Sequence, residues 1–360
     1  MTRLPRRLHA GAWWLWAIGL LAAATMTTNP VLLATIIAVC ALAVAARRSG
    51  SAWATGFGAY LLLAGVVMAV RVGFRILLGG DMGDHVLFRL PSLSLPQGTV
   101  LGGAVTTEEI LAGSYDGLRL GAIVVCVGAA NSLADPRRLV GSLPRALGAL
   151  STSVVVAISL APQLIESVGR VRRARRLRGE SGGGWKALRS LLVPILEDSL
   201  HRSLALAASM DSRGYGRWEP AAAGRGSTRA LAWSGPAAIC AGMFWLLTAP
   251  GWHLPLLLIV AGAAATGAGL RRIGSGTPRT RYRPDPWEGP EWAVAASGMI
   301  AAAAIAAMSA LSPSGIHPSV QPLGWPEVPP AALAAVLVAA FPSVAAPSLP
   351  RAPAMEGTAP

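Results

Sequence analysis

Charge is scarce in this sequence. Asp, Glu, Lys and Arg make up 13% of its 360 residues, about half the roughly 25% of an ordinary soluble domain. With a hydrophobic content of 53%, that shortage excludes the soluble globular class. Cysteine is nearly absent. Cys40, Cys126 and Cys240 lie in apolar runs, without Cys-x-x-Cys spacing or a neighbouring histidine. They read as buried small hydrophobes, which excludes a disulfide framework and a thiolate metal site. The five histidines (His9, His85, His201, His253, His317) are scattered, and none pairs at metal-ligand spacing. No Gly-x-Ser-x-Gly or other nucleophile arrangement occurs. The nearest approach to a phosphate loop is Gly179–Ala187, where Trp185 separates Gly184 from Lys186 and Ala187 follows. A phosphate loop needs Gly-Lys-Ser/Thr after a strand, so this stretch reads as a flexible hinge. No cofactor, no metal, no ATP site and no enzymatic role are expected of the chain.

What is present is apolar sequence in long continuous runs, several close to the roughly 20 residues a membrane-crossing helix needs. Their continuity argues against the alternating pattern of a membrane β-barrel. The candidate spans are Gly11–Thr27, Val31–Ala46, Ala52–Val70, Leu118–Leu133, Ala230–Leu247, Leu254–Leu270, Trp292–Leu311 and Pro330–Phe341 with its flanks. Leu150–Leu164 is apolar but ambiguous.

Basic residues decide how these runs are threaded. The net charge is +14. Between Arg170 and Arg229, thirteen Arg/Lys stand against five Asp/Glu. The block lies between spans and lacks interleaved aromatics, so it reads as cytoplasmic charge under the positive-inside rule and not as a nucleic-acid surface. Arg3, Arg6 and Arg7 place the N-terminus in the cytoplasm, and Arg47-Arg48 and Arg137-Arg138 mark later returns to that side. The loop from Gly79 to Tyr115 carries Asp81, Asp84, Glu108 and Glu109 and reads as external; Arg71 and Arg75 fit that side less well. If Leu150–Leu164 crossed, the basic block and Arg271–Arg283 would both lie outside. It is therefore read as a buried or surface helix leading into a long cytoplasmic segment. The expected fold is all-α and polytopic. It has about six core spans, a C-terminal extension of one or two, and long cytoplasmic helices between spans four and five. The divisions fall at residues 1–133, 134–229, 230–270 and 271–360, the last being a basic, Pro-rich linker and an apolar extension without an assigned role.

The cytoplasmic segment says one thing twice. Ala174-Arg-Arg-Leu-Arg178-Gly179 and Ser209-Met-Asp-Ser-Arg213-Gly214 each place a small residue one helical turn before an Arg-Gly pair. Gly after the last helical residues is the usual left-handed C-terminal stop, and Arg there complements the helix dipole. Each patch is thus expected to end a helix and hold an Arg at its tip. Each lies downstream of a proline with an acid close by (Pro162 and Glu166; Pro194 and Glu197). Glu166, Glu197 and Asp198 are expected to pair with nearby arginines. A guanidinium at a helix tip, with its planar fork of donors, suits docking into carbonyls and carboxylates of a second protein.

On these residues the sequence resembles the transmembrane coupling (T) components of energy-coupling factor transporters, the EcfT/CbiQ family of ABC-type importers. The likeness is carried by Leu160-Ala-Pro162-Gln-Leu-Ile-Glu166 with Ala174…Arg178-Gly179. It continues in Val193-Pro194-Ile-Leu196 with Ala208-Ser-Met-Asp-Ser-Arg213-Gly214-Tyr215 and in Tyr115-Asp-Gly117-Leu-Arg119. It spans residues 10–270 and is specific only around the Arg-Gly pairs. The resemblance implies that Arg178 and Arg213, with Gly179, Gly214, Ala174 and Ser209, dock two ABC ATPase subunits. It also implies that the same helices cradle a membrane-embedded substrate-binding S component for vitamin or transition-metal uptake, in the cell membrane among its lipids. Ser209 departs from the commoner Ala. The competing reading is a lipid-modifying membrane enzyme holding head-group phosphates on the basic segment. A self-contained secondary carrier would need mid-span ionisable residues, which the clear spans nearly lack.

Overall fold

The computed structural model describes residues 8–47, 56–78, 83–94, 100–142, 148–179, 185–214, 225–248, 251, 253–275, 287–321 and 324–345. The chain divides into two units. One comprises Met1–Leu139 with Asp285–Pro360, and the other Val140–Pro284.

The first unit is a helical bundle. It begins with α1 (Ala10–Thr25), α2 (Pro30–Arg47) and α3 (Phe57–Leu78), followed by a hairpin of β1 (Val86–Ser94) and β2 (Val100–Thr106), then α4 (Thr107–Leu133) and the short α5 (Pro136–Gly141). The hairpin falls where a plain external loop is expected from the sequence. It is antiparallel, with register breaks at Val86/Phe88 and Leu90/Leu93. Pro91, which cannot donate to a ladder, lies in the second break. Gly102 and Gly103 have positive φ, +85° and +119°, and the first turns back on the Pro91 carbonyl. α3 and α4 are antiparallel and meet along Gly113, Gly117, Gly121 and Gly128, whose missing Cβ atoms admit Arg75, Met68, Ala64 and Tyr60. Small residues at helical spacing permit such close approach in an apolar medium, where dispersion replaces the hydrophobic drive. α3 runs eight residues past the expected Val70, and its Arg71 pairs with Asp116 of α4 at 3.1 Å. That ion pair accounts for a cation at this end of the span.

The C-terminal extension belongs to the same unit. It forms α10 (Gly289–Leu311), α11 (Pro313–Ile316), α12 (Pro330–Val338) and α13 (Phe341–Ala345). α10 lies parallel to α1. His9 stacks on Trp287 at one end, with ring centroids 5.1 Å apart, Gly19 and Gly298 touch in the middle, and Thr27 Oγ1 donates to the Ile316 carbonyl at the other end, 2.8 Å. α12 and α13 return beside α2: Trp16 Nε1 donates to the Ala339 carbonyl (2.9 Å) and Arg47 to those of Ser343 and Val344 (3.1 and 3.0 Å). Buried Asn29 joins the two hairpins. Its Nδ2 donates to the Gly315 and Glu327 carbonyls at 2.8 Å each, while its Oδ1 accepts from the Val31 amide.

These alignments constrain the threading. α4 runs antiparallel to α1, so the chain leaves this bundle at the end where α1 begins. It re-enters at Trp287, beside His9, at that same end. Among the described residues, the helices long and apolar enough to cross are α2, α3, α4, residues 152–177, His253–Arg272 and α10, with α1 and Pro330–Ala345 apolar but shorter. By length and composition residues 152–177, which overlap the run read above as not crossing, qualify as a span. The protein is an all-α, multi-pass membrane protein with one small β-hairpin among the described residues.

The second unit comprises α6 (Gly148–Leu177), α7 (Trp185–Ser212), α8 (Arg225–Thr248) and α9 (His253–Ser275). α8 and α9 form a close hairpin in which Gly235 and Gly262 face each other: a Cβ on either would lie 2.7 Å from the other's carbonyl oxygen. Cys240 on α8 is exposed, whereas Cys40 and Cys126 are buried, with their sulfurs 3.8 Å apart. Of the three cysteines expected inside a core, two are there.

Candidate functional site

α6 and α7 carry both Arg-Gly pairs. Neither helix begins at its proline. Pro162 and Pro194 lie inside them, each removing one backbone hydrogen bond about mid-helix. The expected stops are present. α6 ends at Leu177, with the Arg178 amide reaching the Ala174 carbonyl (3.2 Å) and the Gly179 amide that of Arg176 (3.1 Å). α7 ends at Ser212, with the Arg213 and Gly214 amides reaching the Met210 and Asp211 carbonyls (3.2 and 2.8 Å). Gly179 and Gly214 have φ of +75° and +74°, left-handed values that a side chain disfavours. Two sequences thirty-five residues apart thus make the same terminal turn.

Ala174, Arg178, Gly179, Ser209, Arg213 and Gly214 are all exposed. Among the described residues, neither the Arg178 nor the Arg213 guanidinium has a partner, so both present their full set of donors outward. The Ser209 hydroxyl turns back on the Leu206 carbonyl, 2.7 Å, satisfying itself on its own helix and leaving the face as smooth as Ala would. The helices are tied upstream of the two tips.

The tie is at Asp198. Its Oδ2 accepts from Ser167 Oγ (2.9 Å) and Arg170 Nη2 (3.4 Å) of α6, and its Oδ1 from Arg202 Nε (3.1 Å) one turn along α7. Arg202 Nη1 reaches back to Gln163 Oε1, 3.5 Å. Hydrogen bonding from Arg202 first, then from Ser167, holds the Asp198 carboxyl below its usual range, so it is charged throughout neutral pH. Ser167 and Ile195 are buried here, the one interior point of either helix among the described side chains. Of the three acids expected to pair with arginines, only Asp198 does so; Glu166 and Glu197 are exposed and show no ion pair among the described residues. The hub was legible only as an acid near arginines, because which acid meets them depends on where two helices touch.

The Tyr115–Arg119 stretch is structural. Asp116 pairs with Arg71, Gly117 admits the Met68 backbone, and the Arg119 guanidinium donates to the Thr25 carbonyl at the end of α1. Of the hinge read at Gly179–Ala187, residues 180–184 lie outside the described residues, and Trp185 to Ala187 already form the first turn of α7. No group of three or more His, Cys, Asp or Glu able to hold a metal occurs among the described residues.

Residues 1–222 match the model of a family described as cobalt transport protein, CbiQ. The match takes in α1–α7 and both Arg-Gly tips and stops before α8. A search of curated proteins finds no match.

Proposed function

The chain belongs to the cobalt transport protein family, and from that premise we propose that it is the transmembrane coupling subunit of an energy-coupling factor ABC importer. In this reading α6 and α7 are coupling helices on the cytoplasmic side, the side of the N-terminus, in the cell membrane. Arg178 and Arg213 each dock one of two ATPase subunits, and the pair transmits ATP-driven motion to a substrate-binding membrane subunit for transition-metal or vitamin uptake. ATP hydrolysis belongs to the partners. The observation that carries the reading is the duplicated tip: two joined helices, each ending in an exposed Arg, without a partner among the described residues, held by a left-handed glycine. A guanidinium so placed keeps its planar fork available for a carboxylate or carbonyl pocket, and two such tips match two nucleotide-binding partners.

The test is co-purification of an ATPase pair with the full chain. Arg178→Glu with Arg213→Glu abolishes it, and abolishes uptake, while the protein remains in the membrane. Normal co-purification and uptake by the double variant would overturn the reading.

A further inference from the structure

A pair of docking points is useful only if their separation is defined, and little else in α6 and α7 defines it. Apart from Ser167 and Ile195 no described side chain of either helix is buried, and Ile165, Leu177 and Leu196 are 74%, 89% and 64% exposed. From Ser167 to Arg178 is eleven residues, about 16 Å at 1.5 Å per residue, and from Asp198 to Arg213 fifteen residues, about 22 Å. A change of about 10° in the angle at the crossing therefore moves the tips by about 3 and 4 Å, the length of a hydrogen bond. Pro162 and Pro194 lie within about one and a half turns of that crossing. Each frees a carbonyl and weakens the helix there, so the weak point of each helix lies close to the joint.

We propose that Asp198 is the positioning residue of this pair: its carboxylate, gripped by Ser167 and Arg170 from α6 and by Arg202 from α7, fixes the angle at which the helices cross and so the separation of the Arg178 and Arg213 tips. The geometry suits the task. A carboxylate offers about four lone-pair sites, and two donors on Oδ2 with a third on Oδ1 leave it little rotational freedom. Arg202 is itself oriented by Gln163 of α6, so four polar side chains from both helices constrain one group. Exposed ion pairs add little to stability, so the contribution is to direction and not to the survival of the fold. The functional significance of the angle rests on the coupling reading above; the angle itself does not.

The experiment uses the full chain in lipid nanodiscs, with spin labels on Leu177→Cys and Ser212→Cys and with exposed Cys240 replaced by Ser; Cys40 and Cys126 are buried. Pulsed dipolar spectroscopy reads the tip-to-tip distance. The unsubstituted crossing gives one narrow distribution. Asp198→Ala broadens it by about 3–4 Å, the tip displacement that a change of about 10° gives over those arms, with the circular dichroism unchanged. Ser167→Ala with Arg170→Ala removes the cross-helix donors without touching Asp198 and gives the same broadening, which decides the matter should Asp198→Ala lose helix. Asp198→Asn, which keeps the acceptor and loses the charge, falls between. Unchanged distributions in Asp198→Ala and in the donor variant would overturn the proposal. A broadened distribution in a chain that never binds ATPases leaves the joint standing and removes the coupling reading. ATPase binding that depends on Arg178 and Arg213, with distances unmoved by Asp198→Ala, does the reverse.

Discussion

α1 buries nine of its sixteen residues, whereas α6, thirty residues long, buries only Ser167 among its described side chains. Both are apolar over much of their length. α1 spends its apolar surface inside the chain, against α4 on one flank and α10 on the other, with Gly19 and Gly298 allowing backbone to touch backbone. α6 and α7 spend almost none there. A helix whose apolar side chains stay uncovered by its own chain has that surface available to lipid or to another protein. The first unit is thus built to hold a shape, and the second to present one.

The contrast can be broken most severely at its tightest point. Gly298→Leu forces a side chain into the backbone of Trp16 and is expected to destabilise the first unit by about 3 kcal/mol or more, read as thermal unfolding in detergent; a neutral result would mean that α1 and α10 do not touch. Next comes Asn29→Ala, which leaves the Gly315 and Glu327 carbonyls without their donor and is expected to cost about 2 kcal/mol. It should also raise protease sensitivity in the extension ahead of the remainder of the chain. Smaller still is Thr106→Ala. Thr106 and Glu109 form a reciprocal capping box at the start of α4, and losing the cap should cost about 1 kcal/mol, measured in the same melt. At the far end of the scale, Ile165→Ser removes an apolar side chain that is 74% exposed and should change the stability of the isolated chain by less than about 0.5 kcal/mol. A large loss there would show that the surface of α6 is already covered and would erase the comparison.

Much of the bundle was legible in the sequence because a membrane span is a local statement. The expected runs Gly11–Thr27, Val31–Ala46 and Trp292–Leu311 became α1 (Ala10–Thr25), α2 (Pro30–Arg47) and α10 (Gly289–Leu311). The left-handed glycines were legible for the same reason, since a helix stop is written in the few residues that make it. α4 was read as starting at Leu118, eleven residues late, because its first turns are polar. The signal was present all the same: Thr106-Thr-Glu-Glu109 has the Ser/Thr-x-x-Glu spacing of a capping box. The β-hairpin was hidden by Pro91 and by glycines that read as loop, and its pairing tolerates them through register breaks. Asn29 and Pro30 fall between the expected runs Gly11–Thr27 and Val31–Ala46. That Asn29 also binds the extension nearly three hundred residues away depends on contacts that no local pattern carries. The same holds for Asp198, whose neighbours are drawn from another helix.

Because α10 follows α1 in direction and α13 ends beside Arg47, His9 and Val344 lie at the same end of the first bundle. Reporter fusions therefore become a test of threading. Reporters placed ahead of His9 and in the 276–286 connection should be scored to one compartment, and one inserted at Gly83, beyond α3, to the other. Agreement between the first two would mean an even number of crossings between α4 and α10, and disagreement an odd number.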